Sequence, residues 1–544
     1  MTDFRPSDFY DYLRPSPCEL RVWLRRRGEP EAEPGPFDAL LYRLGELHEA
    51  NHLRTLREEI ADVVDLSDVP REEREDRTLD AVRRGAAVIY QGTLVARHVV
   101  DGFDCRIAGA PDFLIQDGLG YRIRDSKLAR RVGLRAAVEE DGAQAAEATP
   151  EPEHTGEEPG GGDDRAKPGT GRRRRARKAP RPHHPEIVLQ LQIYGWMYEQ
   201  TFGVPPAALE VHAGTDEIVP IPYDRGAAAL ETMARMIRIA AAQTEPREPV
   251  GWSKCQGCGY RGRCWPAAEQ RRDVSLIPRL RQDRAKALMQ AGVLTLDDLL
   301  ARFDEDGLAA LELTIGGRTR RFGPGAGAAL RSARALTSGA TSLLSAPGLP
   351  EVGTWVMFDV EGLPAYLDEL EKVYLWGLQA FGDRPGPFMP ALAGLGGDGD
   401  RAGWEAFLSN ARALLDDARQ TRFVHWGTYE KTKLKSYVAR YGDSDGTAAR
   451  VETGLLDLCA LVARCFVLPL SSYSLKQVER FVGFERRLEY AGDLAMADYI
   501  QAVETQDPAR REALISRIVD YNAEDLAATW AVLQWVRGRT APAR

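Results

Sequence analysis

GAPDFLI at 109–115 and YRIRDSK at 121–127 decide the fold of the N-terminal half of this chain. Phe113-Leu-Ile115 and Tyr121-Arg-Ile-Arg124 read as neighbouring strands. Side chains alternate faces along a strand, so Asp125 and Lys127 share one face. An adjacent strand entering through Asp112 aims its carboxylate at the same spot. Two carboxylates offer hard oxygen ligands to a divalent cation. An ammonium beside them supplies fixed positive charge where an oxyanion develops. This is the set that metal-assisted phosphodiester hydrolysis uses.

Around these strands lie His48, in the helical stretch Leu44-Gly-Glu-Leu-His48, and Gln190 and Tyr194, one helical turn apart. Cys18 stands near the N-terminus, and Cys255, Cys258 and Cys264 follow later. Thiolates at Cys-x2-Cys spacing suit zinc or an iron–sulfur cluster, and Gly257, Gly259 and Gly262 let the backbone curl around such a group. With seven cysteines, an odd number, a disulfide framework is not expected. Cys105, Cys459 and Cys465 read as core residues.

The ordered set of early Cys, helix His, Asp, Asp-x-Lys, Gln-x3-Tyr and three late Cys resembles the RecB-type PD-(D/E)XK nucleases. The likeness is to their iron–sulfur subgroup, which includes the CRISPR-associated adaptation nucleases and AddB-type repair nucleases. It covers roughly residues 1–270. The resemblance implies a restriction-endonuclease-like α/β fold and Mg²⁺ or Mn²⁺ held by His48, Asp112 and Asp125. It further implies that Lys127 is catalytic, that Gln190 and Tyr194 line the site against DNA, and that Cys18, Cys255, Cys258 and Cys264 hold a 4Fe–4S cluster. A structural four-thiolate Zn²⁺ site is the alternative. His48-Glu-Ala-Asn-His52 also matches the H-E-x-x-H pattern of zinc proteases, for which no third ligand stands out.

A composition break at 136–185, rich in Pro, Gly, Glu and Arg, reads as a disordered insertion into this first domain. Residues 271–345 read as a helical connector resembling a helical hairpin. It turns at Gly292 and restarts at the N-cap candidate Thr295. Gly323-Pro-Gly-Ala-Gly327 lacks the Lys-Ser/Thr of a P-loop.

From about 346 to 540 a second α/β unit is expected. Trp355-Val-Met-Phe358, Val373-Tyr-Leu-Trp376 and Phe423-Val-His-Trp426 are strand-like, and 385–399 reads as a Gly/Pro-rich loop. Asp359 and Glu361 share a strand face, and Tyr521 and Asp525 stand one turn apart on a helix. Carboxylates gathered round two ions can activate water on one side of a phosphate and stabilise the leaving oxygen on the other. This order resembles the DEDD exonucleases of the RNase H-like mixed-sheet fold, in the subset with Tyr before the last Asp. The resemblance implies metal ligands at Asp359, Glu361, Glu430 and Asp525 and a catalytic role for Tyr521. The second motif departs from the family, with His425 and Glu430 where Asn and Asp are usual; Asp457 is a spare candidate. Ser474-Leu-Lys476 adds likeness to uncharacterised RecB-like nuclease fusions.

The 544 residues, 44% apolar and 28% charged, are ordinary globular composition. The net charge of −9 argues against a surface coated in positive charge. No signal peptide or apolar run of membrane length is evident, so a cytoplasmic protein is expected. The whole reads as a DNA-processing nuclease of repair, recombination or defence, acting on single strands or ends. The alternatives are a nucleic-acid clamp with one or both sites inactive, or an RNA exonuclease. Without helicase motifs, unwinding would fall to a separate motor protein.

Overall fold

The structure is a computed structural model. It describes residues 2–118, 120–129, 132, 184–364, 371–394, 397–415, 421–488, 490 and 492–539. The expected insertion at 136–185 lies outside the described residues up to 183.

In the N-terminal half the elements that matter begin with α1 (Pro36–Glu59). Its entry is set by Pro36 in the first turn and by Asp38, whose carboxylate accepts from the Gly35 N–H at 3.0 Å. The six strands β1 (Val63–Asp65), β2 (Val88–Tyr90), β3 (Phe113–Asp117), β4 (Gly120–Ser126), β5 (Ala208–His212) and β6 (Ile218–Ile221) form one mixed sheet in chain order. β3 and β4 are the antiparallel pair read from the sequence, and β4 runs parallel to β5. Between β4 and β5 the chain passes through α2 (Pro185–Phe202). This helix is buried on nearly all sides, as its run of apolar residues requires. Gly203, in the left-handed region at φ 74°, ends it. A smaller three-stranded sheet (Thr2–Phe4, Leu94–Val100, Phe103–Gly109) packs beside it.

The connector opens with three short α-helices, Gln282–Gln290, Leu296–Arg302 and Glu305–Ala310. Gly292 turns the chain at φ 77° and Thr295 caps the second helix, its Oγ1 accepting from the Asp298 N–H at 3.0 Å. The connector goes beyond a helical hairpin: a β-ribbon (Glu312–Ile315, Arg318–Arg321) and a further helix, Ala326–Ser338, close it around a core of its own.

In the C-terminal half β7 (Thr354–Gly362), β8 (Val373–Gly382), β9 (Phe388–Leu392), β10 (Thr421–His425) and β11 (Leu455–Asp457) make a five-stranded sheet in the order β9-β8-β7-β10-β11. The first three strands are antiparallel, and β10 and β11 run parallel to β7. The expected loop at 385–399 in fact contains β9, whose Phe388-Met-Pro-Ala-Leu pairs with the edge of β8. The Pro390 there fits an edge strand, which can forgo a ladder N–H. α3 (Gly492–Glu504) and the long α4 (Pro508–Arg537) pack against the sheet at its central strand β7, and α4 reaches β8 as well. α4 is started by Asp507, which accepts from the Ala509 N–H, with Pro508 next in line. α1 and α3 meet, with an Arg43–Glu504 ion pair at 2.7 Å. Cys105, Cys459 and Cys465 are buried. No described helix is long and apolar enough to cross a membrane.

Candidate functional site

Asp112 precedes β3, and Asp125 lies near the end of β4 with 1% of its surface exposed. Asp112 accepts from the Ser126 N–H at 2.7 Å, and Asp125 accepts from the Asp112 N–H at 3.2 Å. Each carboxylate is thereby held by a backbone N–H of the other strand, Asp125 by that of Asp112 and Asp112 by that of Ser126. Lys127 Nζ stands 3.2 Å from Asp125. Burial, and then the Asp125 charge, push the Asp112 carboxyl well above the usual range. Burial opposes the Lys127 ammonium, but Asp125 and Asp112 outweigh it and raise its pKa. From α2, Tyr194 donates to the Ala110 carbonyl at 2.7 Å. Burial and the same two acids raise its pKa. The Gln190 amide lies beside the Tyr194 hydroxyl. Asp112, Asp125, Lys127, Gln190 and Tyr194 are therefore gathered in one region.

His48 is not gathered with them. The side chain of α1 that faces Asp112 is Glu49. Its carboxylate accepts from Gln91 Nε2 at 2.6 Å, and that same amide reaches Asp112 at 3.4 Å. Gln91 holds this bridge with φ at 56°, unusual for a residue other than glycine. His48 turns instead to β5 and its turn. Its ring stacks on His212 with centroids 4.2 Å apart, and its Nδ1 lies 4.0 Å from Asp216. The H-E-x-x-H pattern does not assemble as a zinc-protease site, because His52 Nε2 faces the Arg124 guanidinium at 3.1 Å. Burial, with His212 and Arg124 nearby, pushes His52 down to about 3.

The four cysteines converge. Cys18, just before the helix Glu19–Arg26, lines one small cavity together with Cys255, Cys258 and Cys264. None of them is in a disulfide. Burial raises the Cys18 and Cys255 thiols, and burial together with Cys18 and Cys258 raises Cys264 to about 11.

In the C-terminal half, alternation along β7 brings Asp359 and Glu361 to one face, and α4 lays Asp525 against them. One ligand oxygen from each of the three lies within 4.8 Å of the others. Asn522, one turn before Asp525 on α4, donates to Asp359 at 2.6 Å. This approach needs Gly377, opposite Asp359 on β8: a Cβ there would collide with Asn522 Oδ1. Burial, then Asp525, Glu361 and Glu430, raise Asp359 well above the carboxylate range. Burial and Asp525 push Glu361 up to about 8. Burial also raises Asp525, opposed by Arg486 and Lys476. Arg486 pairs with Asp525 and, through two nitrogens at 2.7 and 2.8 Å, with Glu479.

Glu430 is buried beside Asp359 and 3.2 Å from His425 Nδ1, outside the tight three-acid set. Asp457 is spent on structure: it caps the helix Leu458–Cys465, accepting from the Ala460 N–H at 2.9 Å. The Tyr521 ring lies under the Lys476 and Arg486 cations, at 5.5 and 5.6 Å. Gln91, Asn522 and Arg486 are not singled out by the sequence, and Glu49 enters there only as part of the H-E-x-x-H pattern. Glu49 and Asn522 each sit next to a residue that was singled out, so only the rotation of their helices separates them from recognition.

A family model of the RNase H superfamily matches residues 356–537. The matched stretch is similar to the RNase H superfamily, and the three acids fall on its first strand and last helix. No curated protein matches the chain. A solved structure titled "Crystal structure of SSO0001" is similar over 49% of this chain and 86% of that one, at 15% identity and a TM-score of 0.24. At that score the two folds are not shown to be the same.

Proposed function

We propose that the protein is a metal-dependent nuclease that hydrolyses phosphodiester bonds of DNA, at single strands or ends, in repair, recombination or defence. The observation that carries this reading is the convergence of Asp359, Glu361 and Asp525 within an RNase H-like domain. Three carboxylates raised by burial and mutual repulsion are a poor arrangement for the bare protein and a good one for a hard cation. Mg²⁺ or Mn²⁺ held there supplies charge neutralisation and a more acidic bound water. Asn522 fixes the rotamer of Asp359, and Arg486 holds Asp525 in place from the outer side. In this reading Glu430, at the edge of the set, is the fourth acid of the site, and Tyr521 takes the catalytic role that the resemblance to the DEDD exonucleases implies.

A second site in the N-terminal domain rests on the gathering of Asp112, Asp125 and Lys127. We read that domain as a RecB-type PD-(D/E)XK nuclease whose cation is held by Asp112 and Asp125, with Glu49 facing Asp112. Lys127 balances charge on the phosphate, and Gln190 and Tyr194 face the nucleic acid.

The cysteine-lined cavity fits a thiolate-held group that joins the two ends of the N-terminal domain. A tetrahedral zinc with Zn–S near 2.3 Å brings its sulfurs within about 3.8 Å of one another. Among the described residues no three of these sulfurs lie within 4.8 Å of one another. The resemblance to the iron–sulfur nucleases makes a 4Fe–4S cluster the first reading and a four-thiolate zinc site the second. Iron counting and visible absorption of anaerobically purified protein test this, with zinc in place of iron as the contrary result.

The function is tested by Mg²⁺- or Mn²⁺-dependent cleavage of end-labelled single-stranded DNA, with RNA of the same sequence in parallel. Loss of cleavage in Asp359→Asn alone assigns the chemistry to the C-terminal domain, and loss in Lys127→Ala alone assigns it to the N-terminal domain. Binding without cleavage of either polymer replaces the nuclease reading with that of a nucleic-acid clamp.

A further inference from the structure

Asp125 and Lys127 point to one face of β4, so the residues between and before them, Ser126 and Arg124, point to the other. On that other face stands a cluster the nuclease reading leaves unused. His48 comes from α1, His212 ends β5, and Asp216 sits on the turn that follows. His212 Nε2 is 3.3 Å from Asp216 Oδ1, and His48 Nδ1 is 4.0 Å from the same oxygen. One ligand atom from each of the three lies within 4.8 Å of the others. We propose that His48, His212 and Asp216 form a separate binding site for a first-row transition metal ion of the zinc type, on the face of β4 opposite the Asp112–Asp125–Lys127 set.

The donors suit that ion class. Two borderline imidazoles with one carboxylate match Zn²⁺ better than Mg²⁺, which prefers all-oxygen donors and keeps its waters. The outer contacts are those of a metal-binding histidine. His212 Nδ1 is engaged by Ser126 Oγ at 3.2 Å, which orients the ring and leaves Nε2 toward Asp216. His52 stacks on the other face of His212 at 3.9 Å, and so clamps the ring without joining the donors. Asp216 has an 86% exposed side chain, so an ion can enter from solvent.

An imidazole lone pair lies in the ring plane. The near-parallel His48 and His212 rings must therefore tip toward each other about their Cβ–Cγ bonds to share an ion, a torsion that is soft in histidine. Three protein donors leave a position open for water. The bound ion ties α1 to the β5–β6 turn and, through Ser126, to the strand that carries Asp125. Ser126 also donates its N–H to Asp112, so one residue touches both sites.

The test is the zinc content of full-length protein dialysed after loading with Zn²⁺, measured by mass spectrometry for the parent, His212→Gln and Asp216→Asn. The cysteines and the two acidic sets are unchanged in these variants, so the difference counts this site alone. The expected result is one zinc ion per chain fewer in each variant. Ser126→Ala should bind the same ion about 10- to 100-fold more weakly. Asp216 lies on an exposed turn, so its variant keeps the fold, which circular dichroism checks. Equal zinc in the parent and in both variants overturns the proposal. The count does not depend on cleavage, so it stands or falls apart from the nuclease reading.

Discussion

In the N-terminal acidic set a cation belongs to the chain itself: Lys127 Nζ lies 3.2 Å from Asp125, and Asp112 and Asp125 are each tied to backbone N–H groups. In the C-terminal set the three acids face one another. The chain's cations, Arg486 and Lys476, gather on the Asp525 side, while Asp359 is met by the neutral amide of Asn522 and by the Glu430 carboxyl. Lys127 thus sits against both acids of the first set, whereas in the second set the compensating charge sits mainly at Asp525, with Asp359 left to Asn522 and Glu430. Two sites built for similar chemistry thus differ in where the chain itself supplies positive charge. The C-terminal site should respond more steeply to divalent ions and to pH.

The largest effect expected is at Asp359. Asp359→Asn keeps the shape but removes one of three ligands, and cleavage assigned to the C-terminal domain should fall below detection at saturating Mn²⁺. If the variant retains parental cleavage of both DNA and RNA, the C-terminal site is not the seat of the chemistry. Lys127→Ala should be the next in size. Removing one fixed positive group from beside a developing oxyanion costs about 10²- to 10³-fold in rate. That loss should not be repaired by more metal ion, because Lys127 and the ion neutralise different charges. Full rescue by Mn²⁺ would mean that the two sites do not differ in the way described.

Much of this contrast was legible in the sequence because it rests on strand alternation. Asp125 with Lys127, and Asp359 with Glu361, are pairs at spacing two, and the pleat fixes their common face wherever the strand forms. The cysteine grouping was legible for a different reason: thiols at Cys-x2-Cys spacing have few structural uses. What sequence could not supply is the rotation of a helix against a sheet. Neighbouring residues on a helix point about 100° apart, so the choice between His48 and Glu49 facing Asp112 turns on packing that no local pattern encodes. The same holds for Asn522 beside Asp525. Asp457 was open to two readings because an acid after a short strand can be a ligand or a helix cap, and here it caps. Arg486 carries no motif, and only the fold brings it to Asp525.

A smaller effect is expected from the scaffold of the C-terminal site. Gly377→Ala places a methyl group against Asn522 and pushes α4 away from β7. Overpacking of this kind costs about 1–3 kcal/mol. Because α4 carries Asp525, the metal requirement of the C-terminal site should rise while that of the N-terminal site stays put. Differential scanning calorimetry with and without Mn²⁺ reads both consequences. An unshifted transition would show that α4 is not held by this contact.

The smallest expected effect separates the two sites by pH. Glu361 has its pKa raised from the usual 4.5 to about 8 by burial and by Asp525. The folded chain therefore holds a proton that the unfolded chain gives up. The resulting stabilisation is complete below pH 4.5 and is lost as pH rises toward 8. Metal-free protein should accordingly melt at progressively lower temperature across that window, with each kcal/mol worth roughly 2–4 °C in a domain of this size. Saturating Mn²⁺ should flatten the slope, since a cation held by the three acids stabilises their ionised forms. Glu361→Gln should flatten it without metal, because the amide cannot ionise. Asp112 is raised in the same direction by burial and Asp125, with Lys127 opposing, so Asp112→Asn should remove its own part of the slope and leave the Glu361 part in place. If Asp112→Asn alone abolishes the slope, the pH dependence belongs to the N-terminal set.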